Sequence, residues 1–338
     1  MKSKKIQNET LIIQDSVNLD NDFSTSTGSQ AIARRSEFLK EMKRNKGLYL
    51  MCLPALIVLV MFCYIPFAGT WMAFTDFNVV DGIFGSKFVG LDNFKYFFST
   101  SSMGWRVTYN TLFINFFGII LGLIVPISIA ISFNEIRNKV FKKLTQSFMF
   151  FPYFLSWVVV GAIIYGLFSS DVGVVNHLLR SLGLEPVKWY AEPKYWKAII
   201  IFSSMWKWSG YSSIIYMAAM ANFDGSLYEA AEVDGASKFQ RIFYLTLPML
   251  KPTAVVLTLM SIGRIFYGDF GMIYGIVGNN PVLIDAVTVI DTYVYQTMRT
   301  LGFSYATAIG LFQSVMGLIL VTIANRLAKK YNEGEGLF

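Results

Sequence analysis

The stretch LYEAAEVDGASKFQRIFYLTLPMLKP, residues 227–252, lies between two long apolar segments and decides how the rest of the chain is read. Glu229, Glu232 and Asp234 are followed by Lys238, Arg241 and Lys251, with Asp224 just upstream. Leu227 to Val233 is a good helix former. Asp224 or Ser226 can cap its start, and Glu229 then sits near the positive helix end. Asp234-Gly235 breaks it, because glycine accepts a positive φ. Ser237 to Tyr244 predicts a second helix with Phe239, Ile242 and Phe243 on its apolar side. Leu247-Pro248 and Pro252 are expected to stop that helix and open the next apolar segment. The product is a helix–turn–helix bracket. Ala230 and Ala231 give it a flat face that another protein can approach closely, and Gly235 sets its bend.

The surroundings are built for lipid. Of 338 residues, 54% are hydrophobic and 15% charged, against roughly 25% charged in a soluble domain. Six apolar segments follow a polar tail, at about 47–75, 106–134, 145–169, 196–221, 252–277 and 304–328. Each has the roughly 20 residues a helix needs to cross a bilayer core, and a helix satisfies its own backbone there. The first run begins near Gly47, after a long tail, and is too long for a signal-peptide core. The expected fold is an all-α membrane protein of six transmembrane helices with a helix–turn–helix loop between the fourth and fifth. Residues 1–43 read as a flexible cytoplasmic tail and 44–338 as the membrane domain, with the loop at 222–252.

Basic residues orient the spans. Nineteen of the 29 bases fall on segments that a cytoplasmic N-terminus places inside, eight fall outside, and Lys207 and Arg264 lie within spans. That excess predicts both termini in the cytoplasm, N-in and C-in. It also accounts for the net charge of +7 without nucleic acid as a partner. The outside loops, about 76–105, 170–195 and 278–303, and their ends carry Trp105, Trp189, Tyr190, Tyr195 and Trp196. These suit an interfacial aromatic belt or a docking surface for an external partner. Cys52 and Cys63 are eleven residues apart, roughly 16 Å along a helix, too far for a disulfide.

The spans are interrupted. Pro54 and Pro66, Pro126 and Pro152 fall in the first three, and the fifth contains GRIFYGDFGMIYG, residues 263–275. Gly118/Gly122 and Gly271/Gly275 have the spacing that allows close helix approach. The glycine-rich run also suits a broken helix lining a cavity. Lys207, Arg264 and Asp269 are the ionisable residues within spans. Such charges mark functional sites by default, although the two bases could snorkel or pair with Asp269. With the nearby aromatics they define a candidate substrate path of Trp206, Lys207, Tyr211, Tyr267, Asp269 and Phe270, suited to sugar rings that need stacking faces and a few polar partners. The sole histidine, His177, has no partner pattern, no phosphate-binding loop occurs, and neither H-E-x-x-H nor G-x-S-x-G is present. An enzyme has little support.

The bracket also resembles a family signature. Glu229, Ala230 and Ala231, then Gly235 after three residues, Leu245 after nine more, and Leu247-Pro248 match the EAA loop of binding-protein-dependent ATP-binding cassette permeases. Asp234 and Ala236 strengthen the match, and Leu245 stands where isoleucine is usual. RNKGLYLMCLPAL (44–56), FVGLDNFKYFF (88–98) and the segment 289–330 look like the polysaccharide branch of carbohydrate permeases. The resemblance implies a bacterial cell-membrane importer of oligosaccharides or polysaccharide fragments. This chain would pair with a second permease subunit as a heterodimer, with a cytoplasmic ATPase dimer and with an extracytoplasmic solute-binding protein. It would bind no cofactor itself; ATP and Mg would be used by the ATPase, which the loop would grip. An ion-coupled secondary sugar carrier is the alternative, and a membrane scaffold or sensor a third reading.

Overall fold

The computed structural model describes Glu41 and residues 44–99 and 103–331. The expected tail at 1–43 lies outside the described residues apart from Glu41. The chain divides into two compact units, one ending at Gly69 and one beginning at Thr70.

In the first unit, α1 (Lys46–Leu59) carries Pro54 in its interior and passes through a π turn, Val60–Tyr64, into Ile65–Phe67. The π turn has a local cause. Pro66 has no N–H, and its ring crowds the carbonyl four residues back. The Ile65 N–H instead reaches the Val60 carbonyl five residues back, which widens the helix just before the proline.

The second unit opens with a two-residue antiparallel pair, β1 (Thr75–Asp76) and β2 (Lys87–Phe88), with Thr75 opposite Phe88. Buried Asn93 closes it by donating to the Ala73 and Thr75 carbonyls at 2.9 and 3.0 Å. Helices follow in order: α2 (Asp92–Ser99), α3 (Met103–Glu135), α4 (Lys139–Phe150), α5 (Trp157–Phe168), α6 (Val174–Ser181), α7 (Trp196–Met220), α8 (Gly225–Val233), α9 (Lys238–Arg241), α10 (Leu247–Gly263), α11 (Phe270–Val277), α12 (Pro281–Val287), α13 (Ile290–Thr300) and α14 (Phe303–Tyr331). α3 packs along α7, α5 on α11, and α13 on α14.

The core follows from these pairings. Val160, Ile164, Trp196, Ile200, Met272 and Ile276 join α5, α7 and α11. Phe97, Val107, Phe266, Ile290 and Ile309 form a second cluster, and Ala130, Tyr216, Met220 and Leu250 a third. Glycines permit the tightest crossing. A Cβ on Gly161 would lie 2.0 Å from the Gly275 carbonyl oxygen, and one on Gly275 would lie 2.9 Å from the Trp157 backbone. The Gly271/Gly275 spacing thus serves a close approach, whereas Gly118 and Gly122 have nothing within 4 Å.

Four helical stretches are long and apolar enough to cross a bilayer: Lys46–Phe74, Met103–Glu135, Lys238–Gly263 and Phe303–Lys330. The pair Lys139–Phe154 and Trp157–Phe168 makes a fifth if a bend of 103° is counted within one span. The segment expected as the fourth span is the 25-residue α7. It is less apolar because Lys207, Ser209 and Ser213 are among its buried residues, so its polar atoms meet protein. The expected fifth span is two helices, α10 and α11, separated by Arg264–Asp269.

The proline reading at 247–252 is corrected. The helix does not stop at Leu247-Pro248 but runs continuously from Lys238 to Gly263. A second π turn, Ile242–Thr246, precedes Pro248 as the first precedes Pro66, with the Leu247 N–H on the Ile242 carbonyl. It absorbs the missing N–H, so the proline does not end the helix.

Candidate functional site

The bracket is built almost wholly from local bonds. Asp224 caps α8, its Oδ1 accepting the Ser226 N–H at 2.9 Å. That backbone bond holds its carboxyl below the usual carboxylate range. At the far end Gly235 has φ 77°. The Gly235 N–H reaches the Glu232 carbonyl at 3.1 Å and the Ala236 N–H reaches Ala231 at 2.9 Å. These two bonds are the Schellman closure that a left-handed glycine permits. Two residues later Ser237 and Gln240 form a capping box that opens α9.

Side chains then brace the two arms. Arg241 pairs with Glu232 at 2.9 Å, and Lys238 with Glu135 at the end of α3 at 3.3 Å. The Tyr228 hydroxyl lies 3.0 Å from the buried Thr246 hydroxyl in the π turn. Glu229, Ala230, Asp234, Gly235 and Pro248 are exposed, while Ala231, Ala236, Leu245 and Leu247 are half-buried. Val233 and Phe239 are also exposed, at 87% and 75%.

Two breaks in the apolar helices hold the remaining candidates. At the first, α4 gives way to a 3-10 turn, Phe151–Phe154, before α5 starts at Trp157. The turn leaves carbonyls without helical partners. The Lys207 ammonium receives three of them, donating to Pro152, Tyr153 and Leu155 at 3.3, 2.8 and 2.5 Å. Lys207 is 6% exposed, and the rings of Tyr153, Trp157 and Trp208 lie 5.8, 5.4 and 5.9 Å from its nitrogen. Gly210 brings α7 this close, since a Cβ there would strike the Met149 carbonyl.

The second break, Arg264–Asp269, is stapled by amides and acids. Asn115 donates to the Ile265 and Tyr267 carbonyls at 2.7 and 2.9 Å. Gln313 donates to the Phe266 carbonyl and to Asp291 Oδ2, both at 2.9 Å. Asp291 Oδ2 also accepts the Gly268 N–H at 2.5 Å. Asp269 caps α11 by accepting the Met272 N–H at 2.9 Å, and its other oxygen accepts the Trp157 indole N–H at 2.8 Å. Trp157 therefore joins the two breaks, facing Lys207 on one side and Asp269 on the other.

Lys207 neither snorkels nor pairs with Asp269; it is held by carbonyls. Trp206 and Tyr211 are exposed at 42% and 43%, and Tyr211 stacks on Tyr153 at 4.2 Å between centroids. Tyr267 turns to Ser314, hydroxyl to hydroxyl at 3.0 Å. Phe270 stacks on Tyr274 at 5.3 Å. The polar staples Asn115, Gln313 and Asp291 were not among the expected site residues. Asn115 and Gln313 are each a lone amide in an apolar run, TLFINFFGII and IGLFQSVMG, which is the signal that could have singled them out.

Comparison with known proteins agrees with this architecture. Residues 114–333 match the family described as "Binding-protein-dependent transport system inner membrane component". Protein LplB of Bacillus subtilis (strain 168) is 36% identical over 89% of this chain and 94% of its own length. The polygalacturonan/rhamnogalacturonan transport system permease protein YteP of the same organism is also 36% identical, over 90% of this chain and 94% of its own. A chain from the crystal structure of a bacterial alginate ABC transporter, in complex with alginate pentasaccharide-bound periplasmic protein, superposes with a TM-score of 0.79. It is 33% identical and the match covers 88% of this chain and 98% of that one. This chain therefore belongs to the binding-protein-dependent transport system inner membrane components: it is a multi-pass permease subunit of an ATP-binding cassette transporter, not an enzyme.

Proposed function

We propose that this subunit carries an oligosaccharide or polysaccharide fragment across the bacterial cell membrane as half of the permease of an ATP-driven importer. In this reading residues 44–338 cross the membrane six times with both termini in the cytoplasm, and α7 is the span whose polar residues face protein. A second permease subunit completes the pathway, and an extracytoplasmic solute-binding protein delivers the sugar. A pair of cytoplasmic ATPases uses ATP and Mg. The names of YteP and of the alginate transporter supply the substrate class.

The observation that carries the reading is the bracket at 224–248. It is capped at both arms, bent at a left-handed Gly235, braced to α3 through Glu135–Lys238, and tied arm to arm through Tyr228–Thr246. It presents Glu229, Ala230 and Val233 outward. An element that is stiff and anchored can pass a push on its exposed face to the helices behind it. The ATPase grips that face, and nucleotide-driven closure shifts the spans because the contacts differ between the two states. Trp206, Tyr211, Tyr267 and Phe270 line the sugar path, with Lys207 and Asp269 holding its frame. The carrier alternative gains nothing from the two acids: Asp269, accepting from Trp157 and Met272, and Asp291, accepting from Gly268 and Gln313, each have a structural use that accounts for them without ion coupling.

Co-purification of the ATPase with Gly235→Asp and Glu229→Lys permeases tests this. Both variants are expected to release the ATPase and abolish ATP-driven uptake. Retained ATPase with unchanged uptake would refute the grip.

A further inference from the structure

The run IRNKVFKKLTQSFMF, residues 136–150, carries Arg137, Lys139, Lys142 and Lys143 and no acid. Among the described residues none of these four bases makes an ion pair, and Glu135, the acid just before them, is taken by Lys238 at 3.3 Å. Asn138 caps α4, its side chain accepting the Val140 and Phe141 N–H groups at 3.0 and 3.1 Å. The bases therefore crowd the positive end of a well-formed helix, where the dipole disfavours cations. Lys139 and Lys143 add a like-charge pair one turn apart. Nothing within the helix accounts for them.

The helix has three distinct sides. At helical spacing Lys139, Lys142 and Lys143 share one, and Val140, Phe141, Leu144 and Phe148 share the opposite one. All four apolar side chains are more than half exposed, Phe148 at 77%. The protein takes the third side: Gln146 Nε2 lies 3.5 Å from Met217 Sδ, and Gly210 of α7 lets the Met149 carbonyl approach. The stretch Lys139–Phe154 meets α5 at 103°, so the two cannot both stand along the membrane normal. α5 reads WVVVGAIIYGLF, without a charge, and suits the crossing direction; α4 lies across it. A helix with a basic side and an apolar side, set across the normal, fits the lipid–water boundary. Its apolar side chains enter the acyl region and its bases stay at headgroup level.

We infer that α4 is an interfacial helix whose Lys139, Lys142 and Lys143, with Arg137 beside them, bind the phosphates of anionic phospholipids in the cytoplasmic leaflet. The inference rests on the topology proposed above, which puts the α3–α4 turn inside. It also couples lipid to the frame of the first break: α4 runs directly into the 3-10 turn whose carbonyls hold Lys207.

The test uses the assembled transporter, purified in a neutral detergent and titrated with phosphatidylglycerol or phosphatidylcholine in mixed micelles while its melting temperature is followed. Phosphatidylglycerol should raise the midpoint and phosphatidylcholine should not. The concentration giving half of that rise should grow about fivefold for each base lost in the series Lys139→Gln, Lys142→Gln and Lys143→Gln. Raising the salt to about 0.5 M should weaken the wild-type response, and Lys87→Gln with Lys188→Gln, on the outside loops, should leave it unchanged. No rise in wild type, equal rises with the two lipids, or a wild-type response in the triple variant would overturn the inference. So would loss of the ATPase or of the second permease from the purified triple variant, because a protein would then answer the bases. The topology is read separately: Lys139→Cys, in a background of Cys52→Ser and Cys63→Ser, should resist an impermeant maleimide in intact cells. Labelling there would overturn the topology and this inference with it, whereas a protected cysteine with no lipid response overturns the inference alone.

Discussion

Replacing Lys207 by methionine removes a charge while keeping an unbranched chain of similar length. In the folded protein the ammonium sits within 3.3 Å of three carbonyls that a 3-10 turn has freed from helical bonding. Leaving a buried acceptor unmet costs about 1–3 kcal/mol, and a hydrogen bond to a charged group contributes about 1.5–3 kcal/mol. Relief from dehydrating the ammonium offsets several kcal/mol of that sum. The net expectation is a loss of about 2–4 kcal/mol, together with loosening of the 103° bend and of the Tyr153–Tyr211 stack. In a chain of 338 residues about 2 kcal/mol corresponds to a fall of about 3 °C in melting temperature. Thermal unfolding of the purified complex in detergent, followed by tryptophan fluorescence, reads it directly. Lys207→Arg should melt closer to wild type, since a guanidinium can reach the same carbonyls. If Lys207→Met melts within about 1 °C of wild type while sugar uptake is lost, the ammonium serves the substrate and the reasoning from the carbonyls is wrong.

Other perturbations probe separate parts of the fold. Gly275→Ala places a methyl 2.9 Å from the Trp157 backbone and should destabilise the complex by about 1–3 kcal/mol, measurable as a lower melting temperature, whereas Gly118→Ala, with open space around it, should leave it unchanged. The Tyr190 hydroxyl is buried and has no hydrogen-bond partner among the described residues, so Tyr190→Phe should hold or raise thermal stability at neutral pH. Burial, with Tyr165 adding, pushes the Tyr190 phenol up to about 12. The unfolded chain ionises first, near pH 10, so its contribution is whole below pH 10 and fades as pH climbs towards 12; the phenylalanine variant should resist alkaline unfolding better in a pH–melting series. Asp224 has the opposite sign. Its lowered carboxyl stabilises the start of α8 above the ordinary carboxylate range and loses that contribution as pH falls through its own lower value; at neutral pH Asp224→Asn should keep the bracket protected from hydrogen exchange and Asp224→Ala should not.

What could be read beforehand depended on how far apart the interacting residues lie. The bracket was legible because its bonds join near neighbours: Asp224 with Ser226, Ala236 with Ala231, Ser237 with Gln240. The break in the fifth apolar run was legible from its glycines. Its staples were not, since Asn115 reaches carbonyls 150 and 152 residues away. Lys207 was visible as a charge in a span, but its acceptors lie more than 50 residues upstream, and only Pro152 hinted at them. Pro248 misled for a different reason. Proline ends helices whose hydrogen bonding is regular, and a π turn leaves no periodicity in the sequence to announce it. The segment expected as the fourth span is the 25-residue α7, which is not among the stretches apolar enough to cross a bilayer; it packs along α3 and buries Lys207, Ser209 and Ser213.

The most direct measurement is sugar uptake into proteoliposomes holding this subunit, its second permease and the ATPases, with the binding protein and oligosaccharide on the outer side. ATP inside the vesicles should drive accumulation, and a proton or sodium gradient without nucleotide should drive none. Accumulation on an ion gradient alone, in vesicles free of nucleotide, would contradict the assignment of this chain to an ATP-driven importer.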